Sequence, residues 1–143
     1  MLRLGWFSTG RGKGSLTLMN TIQECILNES LDAKIDFVFS NREFGEDAGS
    51  DEFLNQVLDY NIPLVNLSSK NFRKSKGGGP FSQYRLNFDK EVISLLDKYN
   101  PDICVMAGYM LIAGPELSNH YRIINIHPAP VGGPTGTWQE VIW

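Results

Sequence analysis

Apolar positions change period twice within the first forty residues. Residues 3–8 (Arg-Leu-Gly-Trp-Phe-Ser) form a short apolar run and predict a first strand. From Ser15 the spacing lengthens: Leu16, Met19, Ile22 and Ile26 mark one face of a helix reaching about Asn28. Residues 33–40 (Ala-Lys-Ile-Asp-Phe-Val-Phe-Ser) return to β-branched and aromatic side chains and give the clearest strand. Residues 41–50 are polar with two glycines, a loop. Residues 51–60 predict a short helix, with Phe53, Leu54, Val57 and Leu58 inward and acids at its start to suit the dipole.

Residues 63–67 read as a short strand and 68–80 as a loop, where Lys70, Arg73, Lys74 and Lys76 precede Gly77, Gly78, Gly79 and Pro80. This basic stretch is expected to be a solvated loop, with a lid as the alternative. A long helix is predicted over 81–99, with Phe88, Val92, Leu95, Leu96 and Tyr99 at helical spacing, and Asn100-Pro101 ends it. On that helix Asp89 and Glu91 read as surface charges. Residues 103–107 predict another buried strand, followed by Gly108-Tyr109-Met110, a short helix after Pro115, and a last strand containing Ile123, Ile124, Asn125 and Ile126. Strands alternating with helices predict an α/β fold: an open, mostly parallel sheet with helices on both faces, three layers in all. Trp6, Phe7, Phe37, Phe39 and Phe88 are expected in its core. No internal repeat or second domain is visible, so residues 1–143 read as one domain. Residues 138–143 look like the start of a helix, and further residues downstream are expected.

Composition narrows the partners. With 42% hydrophobic and 20% charged residues the chain reads as globular, and a net charge of −3 offers no general attraction to nucleic acid or anionic membrane. No apolar run is long enough to span a membrane, and the amino terminus has no signal-peptide pattern. Cys25 and Cys104 lack CxxC spacing; free buried thiols in a reducing cytoplasm are expected, and no metal site.

Two features carry candidate chemistry. Asn125 and His127 are two apart where an apolar strand runs into Pro128, so on extended backbone they share a side. An amide beside an imidazole at a strand's carboxyl end can hold a carbonyl oxygen and stabilise the charge developing there. The second feature is the loop 9–15 (Thr-Gly-Arg-Gly-Lys-Gly-Ser) between the first strand and first helix. Its glycines would leave backbone NH groups free to cradle a phosphate, helped by Arg11, Lys13 and the Ser15 hydroxyl. It is neither a dinucleotide fingerprint, which would need glycine at position 15, nor a Walker loop, which would need Ser or Thr at 14. The second strand ends in Ser40-Asn41-Arg42, without the ribose-binding acid of an NAD site.

The run Pro101-Asp102-Ile103-Cys104-Val105-Met106-Ala107-Gly108-Tyr109-Met110, then His120-Tyr121, then Asn125-Ile126-His127-Pro128, resembles the folate-dependent formyltransferases. Among them it is most similar to the phosphoribosylglycinamide (glycinamide ribonucleotide) formyltransferases; Val38-Phe39-Ser40-Asn41 and the glycine-rich loop agree. The resemblance implies a Rossmann-like domain that transfers a formyl group from 10-formyltetrahydrofolate, as co-substrate, to the amine of glycinamide ribonucleotide in purine biosynthesis. It implies catalytic Asn125 and His127, an acceptor-phosphate loop of Gly12, Lys13, Gly14 and Ser15, and a folate side of Arg85, Met106, Ala107, Gly108, Tyr109 and Met110. Small molecules, not nucleic acid or membrane, are the expected partners. Residues 129–136 depart from the family's Ser-Leu-Leu-Pro pattern after His-Pro, and the phosphate loop is longer and more basic than usual. The family's catalytic aspartate falls beyond residue 143, and Glu140 is not expected to replace it. A polypeptide ending at Trp143 is therefore expected to transfer formyl slowly, by about 10²–10⁴-fold for loss of base assistance. Another amine acceptor, or a non-catalytic folate- or nucleotide-binding module of the same fold, stays open, as does the oligomeric state.

Overall fold

A computed structural model describes residues 1–126. Five strands, β1 (Leu2–Phe7), β2 (Ala33–Ser40), β3 (Leu64–Asn66), β4 (Ile103–Met106) and β5 (Ile123–Asn125), form one sheet in the order β3-β2-β1-β4-β5. Every pairing is parallel. The connections carry α1 (Lys13–Leu27), α2 (Ala48–Asp59), α3 (Ser69–Ser75), α4 (Arg85–Leu95) and α5 (Pro115–His120), with a 3-10 turn at Phe81–Gln83.

Two apolar clusters show that both faces of the sheet are covered. Leu4, Trp6, Val38 and Val105 meet Met19 of α1 and Phe53, Leu54 and Val57 of α2. Phe7, Phe37, Phe39, Cys104 and Met106 meet Phe88 and Val92 of α4, Leu96 just after it, and Leu117 of α5. Strand residues alternate between these clusters as the pleat requires, with one exception. Ile35 lies in the first cluster and Phe37 in the second, although they are two apart. A bulge explains this. Leu4 pairs with Ile35 but Gly5 with Phe37, leaving Asp36 as the extra residue. Asp36 is buried and held by Arg3 Nε at 2.7 Å. Gly5 opposite the shift makes room for Phe37, since a Cβ there would approach Cys104 Sγ to 2.9 Å and the Phe37 ring at least as closely.

The expected three-layer α/β fold is present, and Trp6, Phe7, Phe37, Phe39 and Phe88 are core. Several details differ from the sequence reading. Residues 69–75 are helical, because Ser68 caps α3 by accepting from Asn71 N at 3.0 Å and Phe72 anchors it against Phe88. The long helix expected over 81–99 is regular only from Arg85 to Leu95. α2 starts earlier than expected, at Ala48, with Asp47 as its cap. Leu58 and Leu95 face outward, while Leu96 takes the buried position. Both cysteines are free, but only Cys104 is fully buried; Cys25 is half-buried. No helix among the described residues is long and apolar enough to cross a membrane.

Candidate functional site

Strand order reverses beside β1: β2 and β3 extend to one side, β4 and β5 to the other. The connections leaving β1 and β4 therefore diverge, opening a crevice at their carboxyl ends where sheets of this kind bind ligands. The loop following β1 is the glycine-rich one. The segment following β4 begins with Ala107 and Gly108.

Thr9 joins these two segments. Its NH donates to the Gly108 carbonyl at 3.0 Å, and its Oγ1 accepts from Met110 N at 2.9 Å. The same hydroxyl donates to Asn41 Oδ1 at 2.7 Å, while the Thr9 carbonyl accepts from Ser50 Oγ at 2.9 Å. Asn41 in turn donates through Nδ2 to Ser69 Oγ at 3.0 Å. Thr9, Asn41 and Ser50 are buried, so this network fixes the crevice floor by linking the ends of β1, β2 and β4 to the starts of α2 and α3. The sequence reading assigned no role to Thr9, Ser50 or Ser69, and used Asn41 only within a family motif. The available signal was polar residues directly after apolar strands, the same feature that singled out Asn125.

The structure sorts the loop glycines into two kinds. Gly10 has φ +71°, and a Cβ there would lie 2.6 Å from the Phe53 ring, so glycine is required. Gly12 and Gly14 have open space where a Cβ would be. Gly12 is the N-cap of α1 with no side-chain cap bond, and the first turn carries no acid. The start of α1 thus presents backbone donors and the positive end of a fifteen-residue helix to open space, flanked by exposed Arg11 and Lys13. Ser15 closes the cradle toward β4. Its Oγ occupies the place a Cβ on Gly108 would take, and Gly108 has φ +74°.

Of the candidate folate-side residues, Met106 and Ala107 have buried side chains in the two clusters, and Tyr109 packs its ring on Phe7 at 5.6 Å. Gly108 and Met110 are exposed. Arg85 opens α4 and is half-buried; its Nε is enclosed without a hydrogen-bond partner among the described residues. It lines a cleft of about 200 Å³ with Ser82, Leu86, Asp89, Gly114, Pro115 and Glu116.

Asp89 corrects the sequence reading. It is not a surface charge but a buried carboxylate, 3% exposed, accepting from Gly114 N at 2.8 Å. Burial holds its carboxyl above the usual range, against the lowering effects of the Gly114 bond and of Arg85. Glu91 is exposed, as expected.

Asn125 ends β5 opposite Met106, and the ladder continues one step through Ile126 N to the Met106 carbonyl at 3.0 Å. Its side chain is exposed at the sheet's carboxyl end, on the β4 side of the crevice. His127 lies outside the described residues, as do residues 129–136 and Glu140, so the expected common side of Asn125 and His127 is not described. Among the described residues, no three His, Cys, Asp or Glu side chains gather as a metal site would require.

A parallel sheet with a crevice at its strand-order reversal, a phosphate-type cradle on one side and an exposed amide on the other, defines a Rossmann-like small-molecule-binding domain. The chain belongs to the formyl transferase family, whose model matches residues 11–133. It is 46% identical over 44 residues to phosphoribosylglycinamide formyltransferase of Escherichia coli strain K12, covering 29% of this chain and 21% of that protein. Against formyltetrahydrofolate deformylase of Haemophilus influenzae it is 32% identical over 91 residues, 59% of this chain and 29% of the relative. The crystal structure of phosphoribosylglycinamide formyltransferase from Bacillus halodurans superposes with a TM-score of 0.70 at 25% identity, covering 95% of this chain and 61% of that one. The chain thus spans less than a third of either sequence relative's length.

Proposed function

We propose that this protein transfers a formyl group from 10-formyltetrahydrofolate to the amine of glycinamide ribonucleotide, a step of purine biosynthesis. Membership of the formyl transferase family supports the chemistry. The observation that carries the choice of acceptor is the uncapped, unobstructed start of α1 beside the segment following β4. A phosphate held by the Gly12, Lys13, Gly14 and Ser15 backbone would anchor the acceptor on the β1 side of the crevice. The folate would then lie along Gly108, Tyr109 and Met110 toward Arg85. A cytoplasmic location, in keeping with two free thiols, belongs to the same reading.

The reaction asks little of the protein beyond placement and electrostatics. The amine lone pair attacks the formyl carbon, and the carbonyl electrons move onto oxygen. The amine then loses a proton and tetrahydrofolate departs, taking a proton on the nitrogen that carried the formyl group. The Asn125 side-chain NH₂, exposed at the carboxyl end of β5, suits a donor to that oxyanion. Loss of one such donor costs about 3 kcal/mol in the transition state. His127 is the companion group in this reading.

The similarity to a deformylase over 91 residues favours one alternative, in which water replaces the amine. Incubation with 10-formyltetrahydrofolate separates the two. Transfer predicts tetrahydrofolate release that requires glycinamide ribonucleotide and stops with unphosphorylated amines. Release without any amine, at an unchanged rate when one is added, would replace the proposal with hydrolysis.

A further inference from the structure

Asp89 is a buried carboxylate that the formyl-transfer chemistry leaves without a task. It lies on α4, one turn from Arg85, and both border the same cleft. Its Oδ2 accepts from Gly114 N at 2.8 Å, at the end of the segment that leaves β4. Gly114 is fitted to this contact: a Cβ there would come within 2.8 Å of the same oxygen and 3.5 Å of Arg85 Cγ and Cδ. The segment 108–114 is therefore fastened at both ends, by Thr9 to Gly108 and Met110 at its start and by Asp89 at its finish. The negative charge also reaches Tyr109, whose buried hydroxyl has no partner among the described residues and is raised by burial and by Asp89. A carboxylate is costly to bury unless its oxygens find partners, and an apolar residue would serve the α4 stripe better if packing were the whole purpose.

We propose that Asp89 is a positioning residue of the donor side. It fixes the segment from Gly108 to Gly114 against α4 and, by charge, steers Arg85 at the cleft that the two residues share. This deepens the formyl-transfer reading and rests on it.

The test uses the whole chain and two readouts: calorimetric affinity for 5-formyltetrahydrofolate, and amide hydrogen exchange in residues 108–114. Asp89→Ala should weaken folate binding by about tenfold or more and speed exchange at Leu111 to Gly114. Asp89→Asn keeps an acceptor for Gly114 N but not the charge facing Arg85. It should restore slow exchange while leaving folate binding about threefold weaker than wild type. Inorganic phosphate affinity should be the same in all three proteins. If Asp89→Asn, which keeps the Gly114 bond and so the fold, binds folate like wild type, Asp89 does not position Arg85 and the proposal fails. If Asp89→Ala folds with unchanged folate affinity and only a lower Tm, its role is structural and the proposal fails as well. A wild-type chain with no folate affinity would overturn the formyl-transfer reading and this inference with it.

Discussion

Thr9 uses every polar group it has, and all of them on its own chain: Gly108, Met110, Asn41 and Ser50. The glycines beside it divide the labour. Gly10→Ala meets both a positive φ and the Phe53 ring, so it should lower stability by about 1–3 kcal/mol in a urea titration. Gly14→Val has room for its side chain and should leave the melting temperature near wild type. The same branched side chain would crowd the cradle, so the acceptor KM should rise at least about tenfold with folate affinity unchanged. An unchanged KM would move the phosphate elsewhere. Thiol chemistry is equally specific: burial pushes Cys104 up to about 12, whereas Cys25 is half-buried. Native protein should therefore react once with a thiol reagent, at Cys25, and a second time only on unfolding. The loop and its three glycines were legible as a motif, but not which glycine serves the fold. That depends on Phe53, a residue of another element. Asp89 was misread because its charge outweighed its position: 89, 92 and 96 lie on one helical stripe, the stripe that is buried.

Strands and long amphipathic helices were legible because their apolar period is the signal. α3 was not. Four cations and three glycines look like a loop, and the only clue to a helix is Ser68 ahead of a single anchor, Phe72. The bulge at Asp36 was equally hidden, since alternation in β2 reads correctly on either side of it. The aromatic side chains of α3 and the 3-10 turn pack on one ring of α4. Phe88 meets Phe72 and Phe81, each with ring centroids 5.3 Å apart, as well as Phe39 at 6.5 Å. Phe88→Ala should cost about 3–5 kcal/mol of unfolding free energy and expose Gly77 to Gly79 to protease before the sheet unfolds. A loss below about 1 kcal/mol would show that the three rings repack without it.

At the scale of the molecule, alternation of strand and helix predicted a parallel three-layer sheet, and the resemblance of residues 101–128 pointed to the formyl transferase family that the match over residues 11–133 bears out. Strand order was not readable from the pattern, because the alternation of strand and helix is the same whichever strands pair. Yet strand order is what makes the crevice: β1 and β4 become neighbours at the reversal, bringing the glycine loop and the segment after β4 within hydrogen-bond reach. The most direct measurement is a pair of backbone amide NMR titrations, one with glycinamide ribonucleotide and one with 5-formyltetrahydrofolate. The acceptor should shift the amides of Gly12, Lys13, Gly14 and Ser15. The folate should shift those of Gly108, Tyr109 and Met110 together with the Asn125 side-chain amide, and both sets should respond when the two ligands are present. Shifts confined to surfaces away from the ends of β1 and β4, or none with either ligand, would contradict a shared crevice at the strand-order reversal.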